Sequence, residues 1–229
     1  RVISQLRQSI VEASKGRFFY GWMIVFVGSF GVFSSGPGQS HTFSVFLDPI
    51  GNELGISSAS MATAYGLATL AAAFMLPQMG RLIDRWGPRK GLLLIVLALG
   101  AACIFFGAAA NFLWLAVGFA MMRFFGQGSL MMGCANMVSH WFTLNRGLAM
   151  SLMALGFGAS MAVHPPLSQY LVNEIGWRNA WYAMGLITWI TMVPPLLLLV
   201  FDKPEDVAMW PDGEAPASED EQAKGPSDI

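Results

Sequence analysis

The chain has 229 residues, 55% of them hydrophobic and only 12% charged, where a soluble domain carries about 25% charged residues. A mean hydropathy of +0.53 makes lipid the solvent for most of it and excludes a soluble globular domain. The net charge of −1 conceals an asymmetry: nine of the fourteen acids lie beyond Phe201, eleven of the thirteen Lys and Arg lie before it, and no basic block reads as a nucleic-acid footprint.

Residues 1–17 are polar and net basic (Arg1, Arg7, Lys15 and Arg17 against Glu12), with Val2, Leu6, Ile10 and Val11 at helical spacing. This pattern predicts a short cytoplasmic helix lying on a membrane surface. The chain starts on Arg1 rather than Met, which reads as a fragment or a trimmed chain. A signal peptide does not fit, because the next apolar run exceeds the 7–15 residues of a signal core and no small-residue cleavage site follows it.

Six spans are predicted over 18–201, each near or above the roughly 20 residues needed to cross the hydrocarbon. Their approximate limits are 19–49, 57–79, 90–110, 112–140, 145–171 and 178–201. The first is interrupted by Gly36–Pro37–Gly38, a break tolerated at membrane depth only against protein or a water-filled cavity. Lys and Arg number four in the amino-terminal segment, four in the loop after the second span, one (Arg146) after the fourth and two in the tail. The opposite loops together hold only Arg178. By the positive-inside rule both ends of this segment are cytoplasmic, in a multi-pass protein of the inner or plasma membrane. Residues 202–229 hold nine acids, two lysines and four prolines, the composition of a disordered acidic linker or tail.

Polar side chains are costly in lipid and turn toward the bundle interior. Spans 3 and 6 have little polarity, whereas spans 1, 2, 4 and 5 carry Gln39, His41, Tyr65, Thr69, Gln78, Arg123, Gln127, Asn136, Ser160, His164 and Gln169. Spans 3 and 6 are therefore expected at the periphery. Gln39, His41, Arg123, Gln127, Ser160 and His164 are the candidates to line a substrate pathway. Arg123 lies eleven residues into its span, about 16 Å at 1.5 Å per residue and so near mid-bilayer. Gln127 shares its face one turn on. Such a cation attracts an anion or switches state; the alternative is a structural arginine satisfied by carbonyls. His41 follows the Gly-Pro-Gly break, as a ligand-binding or a hydrogen-bonded buried histidine. Gly156, Ser160, His164 and Ser168 recur every four residues, a stripe that favours close helix packing, and Pro165–Pro166 is expected to kink the helix. Cys103 and Cys134 sit in apolar runs without metal-ligand spacing and read as packing residues.

Between spans 2 and 3 stands Gly80-Arg81-Leu82-Ile83-Asp84-Arg85-Trp86-Gly87-Pro88-Arg89-Lys90, a tight cytoplasmic elbow with Asp84 among Arg85, Arg89 and Lys90. Gly80 and Gly87 free the backbone to approach or turn. The stretch resembles the signature loop of the major facilitator superfamily, G-x-L-x-D-R-x-G-x-R-K. Trp141, Phe142, Arg146, Leu148, Ala149 and Gly156 resemble the fifth-helix pattern of its monocarboxylate and oxalate–formate branch. Ser151 and Ser160 replace glycines of that pattern, and Met153 and Leu155 replace alanines. Tyr20-Gly21-Trp22 is similar to that branch's entry to helix 1, without the acid of animal members. Lys203-Pro204-Glu205-Asp206 with Pro211-Asp212-Gly213 is similar to the segment after helix 6 in bacterial members.

The resemblance implies an all-α, six-helix bundle, half of a twelve-helix fold built from three-helix inverted repeats, rocking against a second six-helix half. It implies transport of a small organic anion, often a monocarboxylate and commonly with a proton. Gly80, Asp84, Arg85, Gly87, Arg89 and Lys90 would form a cytoplasmic latch against the second half. In that branch the cation that pairs with substrate usually lies on the eighth helix, beyond this chain. A self-standing six-helix half-transporter or a non-transporting membrane oligomer is the alternative. An intramembrane enzyme is disfavoured: Ser160 and His164 share a face but lack a visible orienting group and oxyanion site. No cofactor or metal is expected.

Overall fold

The structure, a computed structural model, describes residues 2–14 and 18–213. Every regular element among them is helical. The basic segment forms α1 (Val2–Ser14), which rests on the carboxyl-terminal end of the bundle. Arg7 Nη2 donates to Val200 O at 2.7 Å, and its guanidinium stands 4.0 Å from the Phe201 ring centre. Arg1, Lys15 and Arg17 lie outside the described residues.

The Gly-Pro-Gly break falls where the sequence predicts it. Helix α2 (Gly21–Ser34) stops at a buried 3-10 turn, Gly36–Gly38, because Pro37 has no N–H to continue the ladder. Gln39 is extended (φ −97°, ψ 150°), and the chain resumes as α3 (Ser40–Phe43), a second 3-10 turn, and α4 (Leu47–Leu54).

Ser57 caps α5 (Ser58–Trp86), its hydroxyl accepting from Ser60 N at 3.1 Å. Helix α5 then runs past Gly80 to Trp86, and α6 (Pro88–Gly107) starts two residues later. The elbow is thus a single residue, Gly87, whose φ of 87° lies where side chains are strained. Gly80 is not a turn residue at all: it sits within α5, with Met132 3.8 Å from where its Cβ would be.

Asn111 caps α7 (Phe112–Met122), accepting from Trp114 N at 2.9 Å. The same rod continues through a π-helical stretch, Arg123–Leu130, into α8 (Met131–Ser139). Helix α9 (Arg146–Leu198) is one helix by hydrogen bonding, but Gly176 (φ 79°, ψ 161°) divides it into two arms, 146–175 and 177–198. Gly176, the one residue in α9 with non-helical dihedrals, lies between the limits expected for spans 5 and 6, while Pro165 and Pro166 stand inside the first arm.

Among the described residues α5, α6 and α9 are long and apolar enough to cross a membrane, as a multi-pass membrane protein requires. Lipid tails are as apolar as leucine, so helices associate through close packing of small residues. A Cβ on Gly185 would stand 2.7 Å from Gly100 O, and one on Gly28 would stand 3.0 Å from Val138. Within this unit 56% of the apolar stretch of α6 is buried, against 22% for α5 and 33% for α9. Low polarity separates lipid and protein neighbours from water, but not from one another.

Candidate functional site

The Gly36–Gly38 break meets the π-helical stretch at two glycines. A Cβ on Gly126 would stand 2.8 Å from Gly38 Cα, so only glycine lets these backbones come so close. That approach carries Gly38 O to Arg123, whose Nη1 donates to it at 3.1 Å. Arg123 Nε donates to Thr69 Oγ1 at 2.9 Å, and the guanidinium stands 4.7 Å from the Tyr65 ring centre. Tyr65 is itself fixed between Phe43 and Phe119, at centroid distances of 5.1 and 5.5 Å.

Arg123 is only 7% exposed, yet among the described residues no carboxylate lies within ion-pairing distance of it. A buried cation without a counter-ion is costly unless something else compensates it. Arg123 lines a cavity of about 380 Å³ together with Thr69, Leu76, Gln127 and Met131. The Gln127 amide makes no hydrogen bond among the described residues. One cationic fork and one unengaged amide facing the same space form an arrangement that binds a carboxylate or another small anion.

The other candidates sit elsewhere. His41 Nε2 stands 3.1 Å from Ser160 Oγ, which stands 3.0 Å from His164 Nδ1. This chain joins α3 to the first arm of α9, with His164 buried under the Phe33 ring at 4.9 Å. Gln39 is drawn into the break, its Nε2 donating to Ser35 Oγ at 3.0 Å. The six pathway candidates therefore divide into an Arg123–Gln127 pair at a cavity, a His41–Ser160–His164 chain, and Gln39 satisfying the break. The small-residue stripe packs against α2: Gly156 lies against Ser29.

At the elbow, Asp84 Oδ1 accepts from Asn136 Nδ2 at 3.2 Å and pairs with none of Arg85, Arg89 or Lys90 among the described residues. Arg85 and Lys90 are exposed. Arg89 reaches the end of α9, donating to Leu196 O at 3.3 Å and Leu197 O at 2.9 Å, while its amide donates to Asp202 Oδ1 at 2.8 Å. Trp141 and Phe142 are buried: Trp141 Nε1 donates to Phe201 O at 3.3 Å, and Phe142 packs on Phe19 and Trp22. Ala149 is buried, whereas Arg146 and Leu148 are exposed.

Sequence reasoning turns Tyr65 and Thr69 toward the interior and names Asp212 in the segment after the last span, but gives none of the three a role. Tyr65 and Thr69, one turn apart on α5, hold Arg123; their i, i+4 spacing beside an intramembrane cation is the available signal. Asp212, within the expected acidic tail, accepts five hydrogen bonds from Thr143, Leu144 and Asn145. Burial pushes the Asp212 carboxyl up, but these donors together outweigh it and hold it well below the usual carboxylate range. The first part of that tail is thus docked, as 3-10 turns at Pro204–Val207 and Pro211–Gly213; residues 214–229 lie outside the described residues.

Residues 16–224 match the family profile described as Major Facilitator Superfamily. The chain is 28% identical over 166 residues to an oxalate:formate antiporter of Oxalobacter formigenes, covering 68% of this chain and 37% of that protein. It is 25% identical over 160 residues to a probable hexose phosphate transport protein of Chlamydia pneumoniae, covering 69% and 33%. It is 25% identical over 169 residues to human monocarboxylate transporter 11, covering 74% and 36%. The matched stretch therefore spans about a third of each relative's length.

Proposed function

The chain belongs to the major facilitator superfamily, and on that premise we propose that it is the amino-terminal half of a secondary transporter for a small organic anion. The observation that carries this reading is Arg123: a buried guanidinium without a carboxylate partner among the described residues, opening with Gln127 on a cavity of about 380 Å³. The relatives, an oxalate:formate antiporter, a probable hexose phosphate transport protein and a monocarboxylate transporter, support an anion.

In this reading the six spans are residues 19–49 (α2 to the start of α4), α5, α6, α7 to α8, and the two arms of α9. They form two three-helix inverted repeats with both ends in the cytoplasm of the inner or plasma membrane. Transport is by alternating access, as proton-coupled symport or anion exchange, with no chemical step and no cofactor. Alternating access needs a second unit to rock against. The exposed apolar side chains of α5 (Leu67, Leu70, Phe74) and of the first arm of α9 (Leu155, Met161) suit contact with a second six-helix half or with lipid. Asp84, Arg85 and Lys90, exposed at the elbow, are the latch groups available to that half; Arg89 and Gly87 shape the elbow.

Uptake of labelled formate, oxalate and lactate by proteoliposomes of the full-length protein, with and without a pH gradient, tests the reading. Saturable uptake of at least one of them is expected. Absence of uptake of all three, with folded protein in the vesicles, contradicts an organic-anion carrier.

A further inference from the structure

We propose that His41, Ser160 and His164 are the carrier's proton-binding site, taking up one proton on His41 Nε2 that the Ser160 hydroxyl and His164 hold in place; this rests on the transport reading above. Ser160 Oγ stands 3.1 Å from His41 Nε2 and 3.0 Å from His164 Nδ1, and Ser160 O stands 3.3 Å from that same Nδ1. A carbonyl only accepts, so the tautomer of His164 that uses this contact carries its hydrogen on Nδ1, pointing at Ser160. The Ser160 hydroxyl is then free to donate to His41 Nε2. That nitrogen is the basic end of the neutral chain, and His41 is the partly exposed member while Ser160 and His164 are buried.

An added proton settles on His41 Nε2. The hydroxyl hydrogen swings away, and the two lone pairs of Ser160 Oγ accept from both imidazoles. A second proton would place two cations on rings 6.4 Å apart in an apolar setting, so the chain holds one. Phe157 lies edge-on to His41 at 5.7 Å, and Phe33 covers His164. From the elements packed here, the titratable side chain whose charge reaches His164 is His41. Arg123 and Tyr65 face the other side of the break, bonded to Gly38 O and Ser40 Oγ. The charges of α9 (Arg146, Glu174, Arg178) stand near the ends of its arms, and Asp48 and Glu53 lie on α4. Anion and proton thus bind on two sides of one three-residue break, where each favours the other by attraction across a poorly screened interior.

Nitrogen-15 imidazole NMR of the full-length protein in nanodiscs reads the site without any substrate. Assigned with H41Q and H164Q, one protonation is expected, on the His41 ring, lost in H41Q and shifted in S160A and H164Q, while the His164 ring stays neutral. Two independent titrations in the wild type, or none between about pH 4 and about pH 8, overturn the proposal. Lactate uptake then reads the coupling. A gradient of one pH unit lets one coupled proton sustain about tenfold accumulation. H41Q and S160A are expected to bring that ratio to about onefold whatever their residual rate, and an unchanged ratio overturns the proposal. Failure of the wild type to carry lactate strikes the transport reading instead, and the NMR titration still decides the site.

Discussion

The hydroxyl and the amide of Thr143 both donate to Asp212 Oδ2, at 2.6 and 2.7 Å. Leu144 N adds a third donor to that oxygen, and Asn145 adds two to Oδ1. These groups precede the first residue of α9, so Asp212 serves the amino-terminal end of a helix 66 residues away in sequence, from 146 to 212. Replacement by Ala is expected to lower stability by about 1 kcal/mol, the ordinary value of a lost cap, as read by thermal unfolding in detergent. Because the folded carboxyl is held below its usual 3.8, this contribution is complete above that value and fades as pH falls below it. The gap between wild type and D212A therefore closes in acid.

On the opposite side of the bundle, Glu53 Oε2 accepts from Trp177 Nε1 at 2.6 Å and Oε1 from Arg178 Nε at 2.9 Å. The Trp177 hydrogen bond, followed by Arg178, holds the Glu53 carboxyl below its usual 4.5 against a weaker effect of burial. The linkage has the same sign as for Asp212: stability is present above 4.5 and lost as pH falls. The pair is about half exposed, so E53Q is expected to cost less than about 1 kcal/mol. Acid titration of the unfolding midpoint checks both size and sign.

Arg89 closes the carbonyl end of α9 from the elbow. R89A leaves Leu196 O and Leu197 O without that donor and is expected to cost about 1.5–3 kcal/mol. R89K keeps the charge near the helix end and recovers part of it. Differential thermal unfolding of the two variants separates the hydrogen bonds from the charge.

Gly126→Ala places a methyl group 2.8 Å from Gly38 Cα. Overpacking of about 1–3 kcal/mol is expected, together with a lengthened Arg123–Gly38 contact and weaker anion uptake. A cysteine pair across the break, scored for cross-linking with and without the substitution, detects the separation.

Much of this architecture is legible in the sequence because lipid enforces it. Apolar length marks the helices, and Gly36-Pro37-Gly38 cannot hold a helical ladder. Gly87 before Pro88 is where a chain turns. Other features depend on partners far along the chain. The π-helical stretch at Arg123–Leu130 has no composition of its own, only the demand that Gly126 meet Gly38. The cap by Asp212 and the clasp of Arg89 on Leu196 and Leu197 join residues that pattern alone cannot pair. An acidic composition reads as disorder unless such donors are known. The burial of α6 was hidden for another reason: an apolar helix suits a protein neighbour as well as a lipid one. Within the candidate site, Arg123 and Gln127 come together as their spacing predicts, while His41, Ser160 and His164 gather into a separate chain.

The most direct test of an Arg123-centred anion site is uptake by R123Q in proteoliposomes, normalised to folded protein. Removing one partner of a buried charge interaction costs about 2–5 kcal/mol, so uptake of the carried carboxylate is expected to fall at least about thirtyfold. Uptake by R123Q within about twofold of wild type would contradict the account.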